Sequence, residues 1–145
     1  MKYKMMVDRV EFSRALKQIS NAFKRKGRVN LEYVHFEINK GGRINSMRIE
    51  ATNSHVLERV RLNYEPIDGK EFIGEFLITK EAFKAVMNEV LSLKGNRVKI
   101  VLRKVTTDFR ELTVGNVAVP ILNAADYPWL GAVIPSLFDA RLRAR

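Results

Sequence analysis

The stretch that decides the fold is Phe12-Ser13-Arg14-Ala15-Leu16-Lys17-Gln18-Ile19-Ser20-Asn21-Ala22-Phe23. Its apolar residues recur at intervals of three and four, which is the spacing of one face of an α-helix. The opposite side carries a polar stripe. Asp8 precedes the stretch and is expected to cap the helix, and Gly27 is a plausible stop. The sequence therefore predicts an amphipathic helix with a basic end, Lys24-Arg25-Lys26-Gly27-Arg28.

A second helix is predicted after Thr79, which is expected to cap it. Its buried face is formed by Phe83, Val86, Met87, Val90 and Leu91, and Lys94-Gly95-Asn96 ends it. Around the helices, alternating apolar and β-branched runs predict eight strands. These are residues 2–7, 31–38, 46–51, 55–62, 72–78, 98–102, 109–114 and 117–122.

The order of elements is strand, helix and three strands, and then the same order again. The break lies in a linker containing Pro66 and Gly69, so the halves are about 1–66 and 67–145 of one domain, 1–145. Helices and sheets bury their apolar faces in layers. We therefore predict an α+β fold, a (βαβββ)2 pseudo-repeat in which two helices pack on one side of two four-stranded antiparallel sheets.

Charge and composition narrow the classes of function. The 145 residues include 26 Lys and Arg against 16 Asp and Glu, a formal net charge of +10. Such an excess favours a polyanionic partner, first nucleic acid and then an acidic membrane surface. The chain has no cysteine, which excludes a disulfide framework and a thiolate metal site. With charges at Lys2, Lys4 and Asp8 and no long apolar run, we expect a cytoplasmic protein without a signal peptide or membrane span.

Several segments resemble one known family. They are residues 12–20, Ala51-Thr52-Asn53-Ser54-His55-Val56-Leu57, the strand-to-helix step at 76–83, and Asn123-Ala124-Ala125-Asp126-Tyr127-Pro128 followed by Val133-Ile134-Pro135. In order and spacing they are similar to the middle domain of the bacterial DNA polymerase III beta subunit, the sliding clamp. The stretch 51–57 is the most specific, because it resembles the Ala-Thr-Asp-(Gly or Ser)-His-Arg-Leu of middle domains.

The resemblance implies a processivity factor, which holds replication enzymes on double-stranded DNA without catalysis and without a cofactor or metal. Clamp subunits close into a ring whose helices line a DNA-sized hole. A sliding surface attracts phosphates without reading bases. The residues that the resemblance places at or near DNA are Arg14, Lys17, Lys24, Arg25, Lys26, Arg28, Lys80 and Lys84. Among these residues, those in the loop after the first helix are the strongest candidates for contact with DNA.

The resemblance also implies a pocket that docks short peptide motifs of polymerases, the clamp loader and repair proteins. This domain's share of the pocket is Leu31, Thr52, Ser54, His55, Val56, Leu57 and Pro135. Asn53 stands where Asp is usual, and Val56 stands where Arg is usual. The loss of that arginine removes a long amphipathic wall and leaves the peptide preference open.

Length is a larger difference from the family than Asn53 or Val56, because the family subunit has three such domains. A fragment, a separated domain and a stand-alone relative all stay open, as does a homo-oligomer or pairing with further clamp domains. Two other DNA or protein binders are alternatives: a basic regulator with sequence preference, or an interaction module that never meets DNA.

The sequence argues against a catalytic site and against a metal site. Ser54 and His55 are adjacent where a predicted strand begins, and adjacent residues of a strand point to opposite faces, so the two side chains cannot easily form a hydrogen bond. His35 and His55 are the only histidines, and we expect His35 to lie in a strand with a satisfied hydrogen bond.

Overall fold

The computed structural model describes residues 2–24, 33–39, 44–52, 57–104 and 110–122, and the side chains of Lys24, Thr52 and Leu57 are outside the description. Two helices and nine strands occur in these ranges. They are β1 (Lys2–Asp8), α1 (Arg9–Lys24), β2 (Tyr33–Ile38), β3 (Ser46–Thr52), β4 (Leu57–Asn63), β5 (Glu65–Pro66), β6 (Gly74–Thr79), α2 (Lys80–Ser92), β7 (Arg97–Lys104), β8 (Arg110–Val114) and β9 (Val117–Ile121).

The strands form two antiparallel sheets. One has five strands in the order β5-β1-β7-β8-β9, and the other has four in the order β4-β3-β2-β6. The predicted α+β architecture of two helices and two antiparallel sheets is confirmed. The predicted count of four strands in each sheet is wrong for the first sheet.

The extra strand, β5, lies in the segment that the sequence indicated as a linker. Pro66 pairs with Met5 and Glu65 pairs with Met6. Proline cannot donate to a ladder and is therefore confined to edge strands, which is where β5 lies. The neighbouring Ile67 amide donates to the Lys4 carbonyl at 3.0 Å, so the pairing continues one residue beyond the proline.

The two sheets meet at one edge. Leu77 of β6 and Leu122, just beyond β9, exchange backbone hydrogen bonds of 2.9 and 2.8 Å. Both sheets turn alternate side chains inward, and the apolar faces of the helices complete one core. This packing confirms the predicted face of α1, which is buried from Phe12 to Ala22 and partly buried at Phe23. On α2 the predicted face is confirmed at Phe83, Val86 and Val90, whereas Met87 is partly buried and Leu91 is exposed.

The helices lie next to one another. The Phe23 and Phe83 rings are 5.6 Å apart between centroids, and each helix contacts strands of both sheets. Both predicted caps are confirmed. Asp8 Oδ2 accepts from the Glu11 amide at 2.9 Å, and Thr79 Oγ1 accepts from the Ala82 amide at 3.1 Å.

The turn predicted at Gly115-Asn116 is also present between β8 and β9. Gly115 has a φ of +58°, a conformation that residues with a Cβ rarely adopt. Apart from β5, strand, helix and three strands occur twice in order; a structural symmetry between the halves stays a prediction. Neither of the described helices is long and apolar enough to cross a bilayer.

Candidate nucleic-acid interface

The exposed side of the helix pair carries three of the predicted DNA-binding cations. Arg14 and Lys17 are exposed on α1, and Lys84 is exposed on α2. The described residues provide no hydrogen bond or ion pair to any of these three side chains. Their charges are therefore free to attract phosphates.

Lys80 differs from these three, because it is partly buried where the helices meet. Its Nζ lies 5.4 Å from the centroid of the Phe23 ring, within the range of a cation–π contact. Lys80 therefore fixes the junction of the helices as well as adding positive charge to their surface.

Positive charge is distributed unevenly between the helices. Helix α1 contains Arg9, Arg14, Lys17 and Lys24 against the single acid Glu11. Helix α2 contains Lys80 and Lys84 against Glu81 and Glu89. Arg9 is engaged elsewhere, because its Nε donates to the Gly95 carbonyl. The basic surface is thus centred on the exposed side of α1, and Lys84 extends it onto α2.

Other predicted positions lie outside the described residues. These are Arg25, Lys26 and Arg28, together with the side chain of Lys24, at the end of α1. They include the run that the sequence favoured most, so its role stays a prediction.

Of the residues predicted to form the peptide pocket, the structure describes the backbones of two, Thr52 and Leu57. Thr52, the last residue of β3, pairs with Leu57, the first residue of β4. Their backbones therefore lie side by side at one end of the four-stranded sheet. Leu31, Ser54, His55, Val56 and Pro135 lie outside the described residues.

The outer face of the four-stranded sheet carries an ion-pair network that the sequence analysis missed. Glu50 Oε1 is 3.0 Å from His35 Nδ1, and Glu50 Oε2 accepts from Arg59 Nε at 2.8 Å. His35 Nε2 is 3.4 Å from Glu75 Oε2, and Arg48 pairs with Glu37. These pairs connect all four strands of the sheet. The expectation that His35 lies in a strand with a hydrogen bond is confirmed.

The network shifts the protonation of both central groups. Burial raises the pKa of Glu50, but hydrogen bonds from His35 and Arg59 and their positive charges outweigh it and lower that pKa to about 2. Burial lowers the pKa of His35, but its hydrogen bond to Glu50 and the carboxylates of Glu50, Glu75 and Glu37 raise it above 6.5 overall. The network therefore favours a charged carboxylate beside a protonated imidazole.

Metal binding is the other chemistry that this face offers. Ligand atoms of His35, Glu37 and Glu50 lie within 4.8 Å of one another. Both carboxylates already have guanidinium partners, Arg48 and Arg59. We therefore assign the cluster to the sheet's ion-pair network and not to a metal centre.

The fold of this chain is similar to that of proteins with solved structures. No family model and no curated protein matches the sequence. Among solved structures, the Caulobacter crescentus beta sliding clamp matches at 15% identity over 88% of this chain and 32% of its own, with a TM-score of 0.61. This chain has the fold of one sliding-clamp domain. The DNA polymerase III beta subunit of Pseudomonas aeruginosa gives 18% identity over 88% of this chain and 32% of its own, with a TM-score of 0.59.

The Helicobacter pylori beta clamp is also similar to this clamp-type domain. It matches at 18% identity over 86% of this chain and 31% of its own, with a TM-score of 0.57. The clamp-type domain thus spans about a third of the length of the clamp chains that it matches. At these identities the likeness establishes the fold alone.

Proposed function

We propose that this clamp-type domain is a non-catalytic, cytoplasmic processivity element that binds double-stranded DNA without sequence preference. The observation that carries the proposal is the exposed, unpaired set Arg14, Lys17 and Lys84 on two adjacent helices of a clamp fold. Cations on long side chains attract the phosphates that every duplex shares. They read no base edges, so no sequence holds the protein in place.

The proposal assigns the domain an accessory role beside a DNA-directed DNA polymerase. A protein tethered to a sliding element stays near the primer end, and the tether raises its effective concentration without any new contact. Short motifs of polymerase, clamp loader and repair proteins are the proposed ligands of the pocket at Thr52 and Leu57. The backbone pairing of these two residues supports that assignment, and the other pocket positions rest on the resemblance.

Encircling DNA needs more than one domain. Because this chain covers about a third of the clamp chains, the proposal includes further clamp domains or several copies of this one. A second candidate is a stand-alone basic DNA-binding module that forms no ring, because the exposed cations of the helices would attract a duplex without further domains.

Competition between unrelated duplexes tests the proposed DNA binding. A labelled duplex bound to the protein is displaced by unlabelled duplexes of equal length and different sequence. We expect equal competition, and log affinity that falls against log salt by roughly 0.9 unit for each phosphate neutralised. Tight selection of one sequence would reject the proposal in favour of a sequence-specific regulator.

A further inference from the structure

The five-stranded sheet has a second face, opposite to the one that packs on the helices. Along β1 and β7 alternate residues such as Met5 and Ile100 are buried in the core. Because successive residues of a strand point to opposite faces, Lys4 and Val101 lie on the second face, which we call the outer face. Val101 is partly exposed there and does not pack against the described core.

One row of side chains crosses the outer face from the residue just after β5 to β9, and we call it the strip. Strand register places its members opposite one another, in the order Ile67, Lys4, Val101, Thr113 and Ala118. Residues opposite one another on neighbouring strands have Cβ atoms about 4.5–5.5 Å apart. Ile67 is 45% exposed, and Ala118 is also exposed. The strip is therefore continuous and largely apolar, with Lys4 as its one charged residue.

The acids that border the strip already have partners. Glu65 pairs with Arg97 at 3.1 Å, and Glu111 pairs with Arg103. Asp8, at the far end of β1, accepts from a backbone amide as the cap of α1. The carboxylates that the described residues place on the outer face are therefore engaged within the domain.

Three lysines differ from these acids, because none of them has an ion pair with a described carboxylate. Lys4 lies in the strip, Lys2 lies two residues before it on β1, and Lys99 lies diagonally opposite it on β7. Diagonal neighbours on adjacent strands are about 7–8 Å apart. The unpaired charge of the outer face is therefore positive and lies directly beside apolar side chains.

Two kinds of partner match this face poorly. A duplex gains nothing from the exposed Ile67 and Ala118, and the carboxylates of Glu65 and Glu111 repel its phosphates. A second copy of this chain, bound by twofold symmetry, would bring the same patch of both copies together. The lysines of one copy would then face the lysines of the other.

A protein segment that combines carboxylates with bulky apolar side chains matches both features. Its apolar side chains would cover the strip, and such central contacts supply most of the energy of an interface. Its carboxylates would pair with the three lysines, and complementary charges fix orientation and partner choice. We propose that the outer face docks an acidic, apolar segment of a partner protein, while the helices on the other side of the sheet stay free for the proposed duplex.

The probe is a fluorescent peptide of glutamates and leucines, and its binding is measured by anisotropy. The strip crosses five strands about 4.8 Å apart, so a peptide of about fourteen residues covers it even when helical. Two further peptides replace the leucines with serine or the glutamates with lysine. Salt is held at about 0.1 M, where charges beyond about 10 Å are screened.

The charge variant of the outer face is Lys2→Gln with Lys99→Gln. Its control, Lys70→Gln with Lys94→Gln, removes the same net charge from two exposed loop lysines.

The apolar variant is Ile67→Ser with Val101→Thr. Its control is Ile73→Ser with Leu91→Ser, which removes two exposed apolar side chains that lie elsewhere.

We expect the charge variant and the apolar variant each to bind the glutamate–leucine peptide at least about fivefold more weakly than the wild type. Both controls bind it as the wild type does, and the wild type binds the two altered peptides at least about fivefold more weakly. A short duplex keeps its affinity for the charge variant, so that failure of the helix surface and failure of the outer face are distinguishable.

Three results would overturn the inference. The wild type does not bind the glutamate–leucine peptide, or it binds the serine peptide equally well, which would leave charge alone as the cause. The controls lose as much affinity as the variants of the outer face. The charge variant loses the duplex and keeps the peptide, which would assign the outer face to nucleic acid.

Discussion

Replacing Lys17 and Lys84 together with Glu lowers the affinity of the helix surface for duplex DNA at least about tenfold at moderate salt. The two lysines come from different helices and are both exposed, so the double change reverses the charge across the pair. Each lost phosphate contact removes about one unit from the slope of log affinity against log salt. The slope of the variant is therefore expected to fall by about two.

The matched control for this change is Lys70→Glu with Lys94→Glu, which alters net charge equally at two exposed loop lysines. We expect an affinity change of less than about threefold and an unchanged slope, because long-range charge is screened beyond about 10 Å at 0.1 M salt. Both variants keep near wild-type stability, since exposed substitutions cost at most about 0.5 kcal/mol. Equal losses in the two variants would mean that net charge alone binds DNA.

Replacing Glu50 with Gln destabilises the domain by about 2–3 kcal/mol at pH 7. The change removes the carboxylate of a side chain that is 6% exposed and leaves Arg59 without its counter-charge. Breaking a buried ion pair typically costs about 3–5 kcal/mol, and the partial exposure of Arg59, 29%, reduces that figure here. Urea unfolding of the two proteins measures the difference.

The pH dependence of this difference follows from both pKa shifts. Because the pKa of Glu50 is lowered to about 2, its contribution is complete above its ordinary pKa of 4.5 and is lost as the pH falls through about 2. Because the pKa of His35 is raised, its contribution is complete below 6.5 and is lost as the pH rises through the raised value. The gap between wild type and variant is therefore largest between about pH 5 and 6.5.

Glu65→Gln is the control for the Glu50 variant. Glu65 also pairs with an arginine, Arg97, at 3.1 Å, but its side chain is 68% exposed. Exposed pairs contribute about 0–1 kcal/mol. A Glu50→Gln variant no less stable than Glu65→Gln would show that the network adds nothing beyond an ordinary surface pair.

The helices and their N-terminal ends could be predicted from the sequence, because the signals are local. The apolar spacing from Phe12 to Ala22 and the caps Asp8 and Thr79 each depend on residues within a few positions. β5 was missed because a two-residue edge strand containing Pro66 has no pattern of its own. It exists through its pairing with Met5 and Met6, which are about sixty residues away along the chain.

Charged residues were easier to find than their partners. The sequence indicated Lys80 as a cation, but its position over the Phe23 ring depends on how the two helices pack. His35, Glu50 and Arg59 become neighbours only through strand register, in which His35 and Arg59 both lie opposite Glu50. The alternation of charged and apolar residues along β2, β3 and β4 was the signal that could have revealed this network.

The most direct test of sequence-independent binding by the helix surface is a backbone NMR titration with two unrelated duplexes of equal length. The account predicts that the amides around Arg14, Lys17 and Lys84 shift, and that they shift in the same pattern with both duplexes. Helix amides that stay unchanged with either duplex, or that respond to only one of the two, would contradict it.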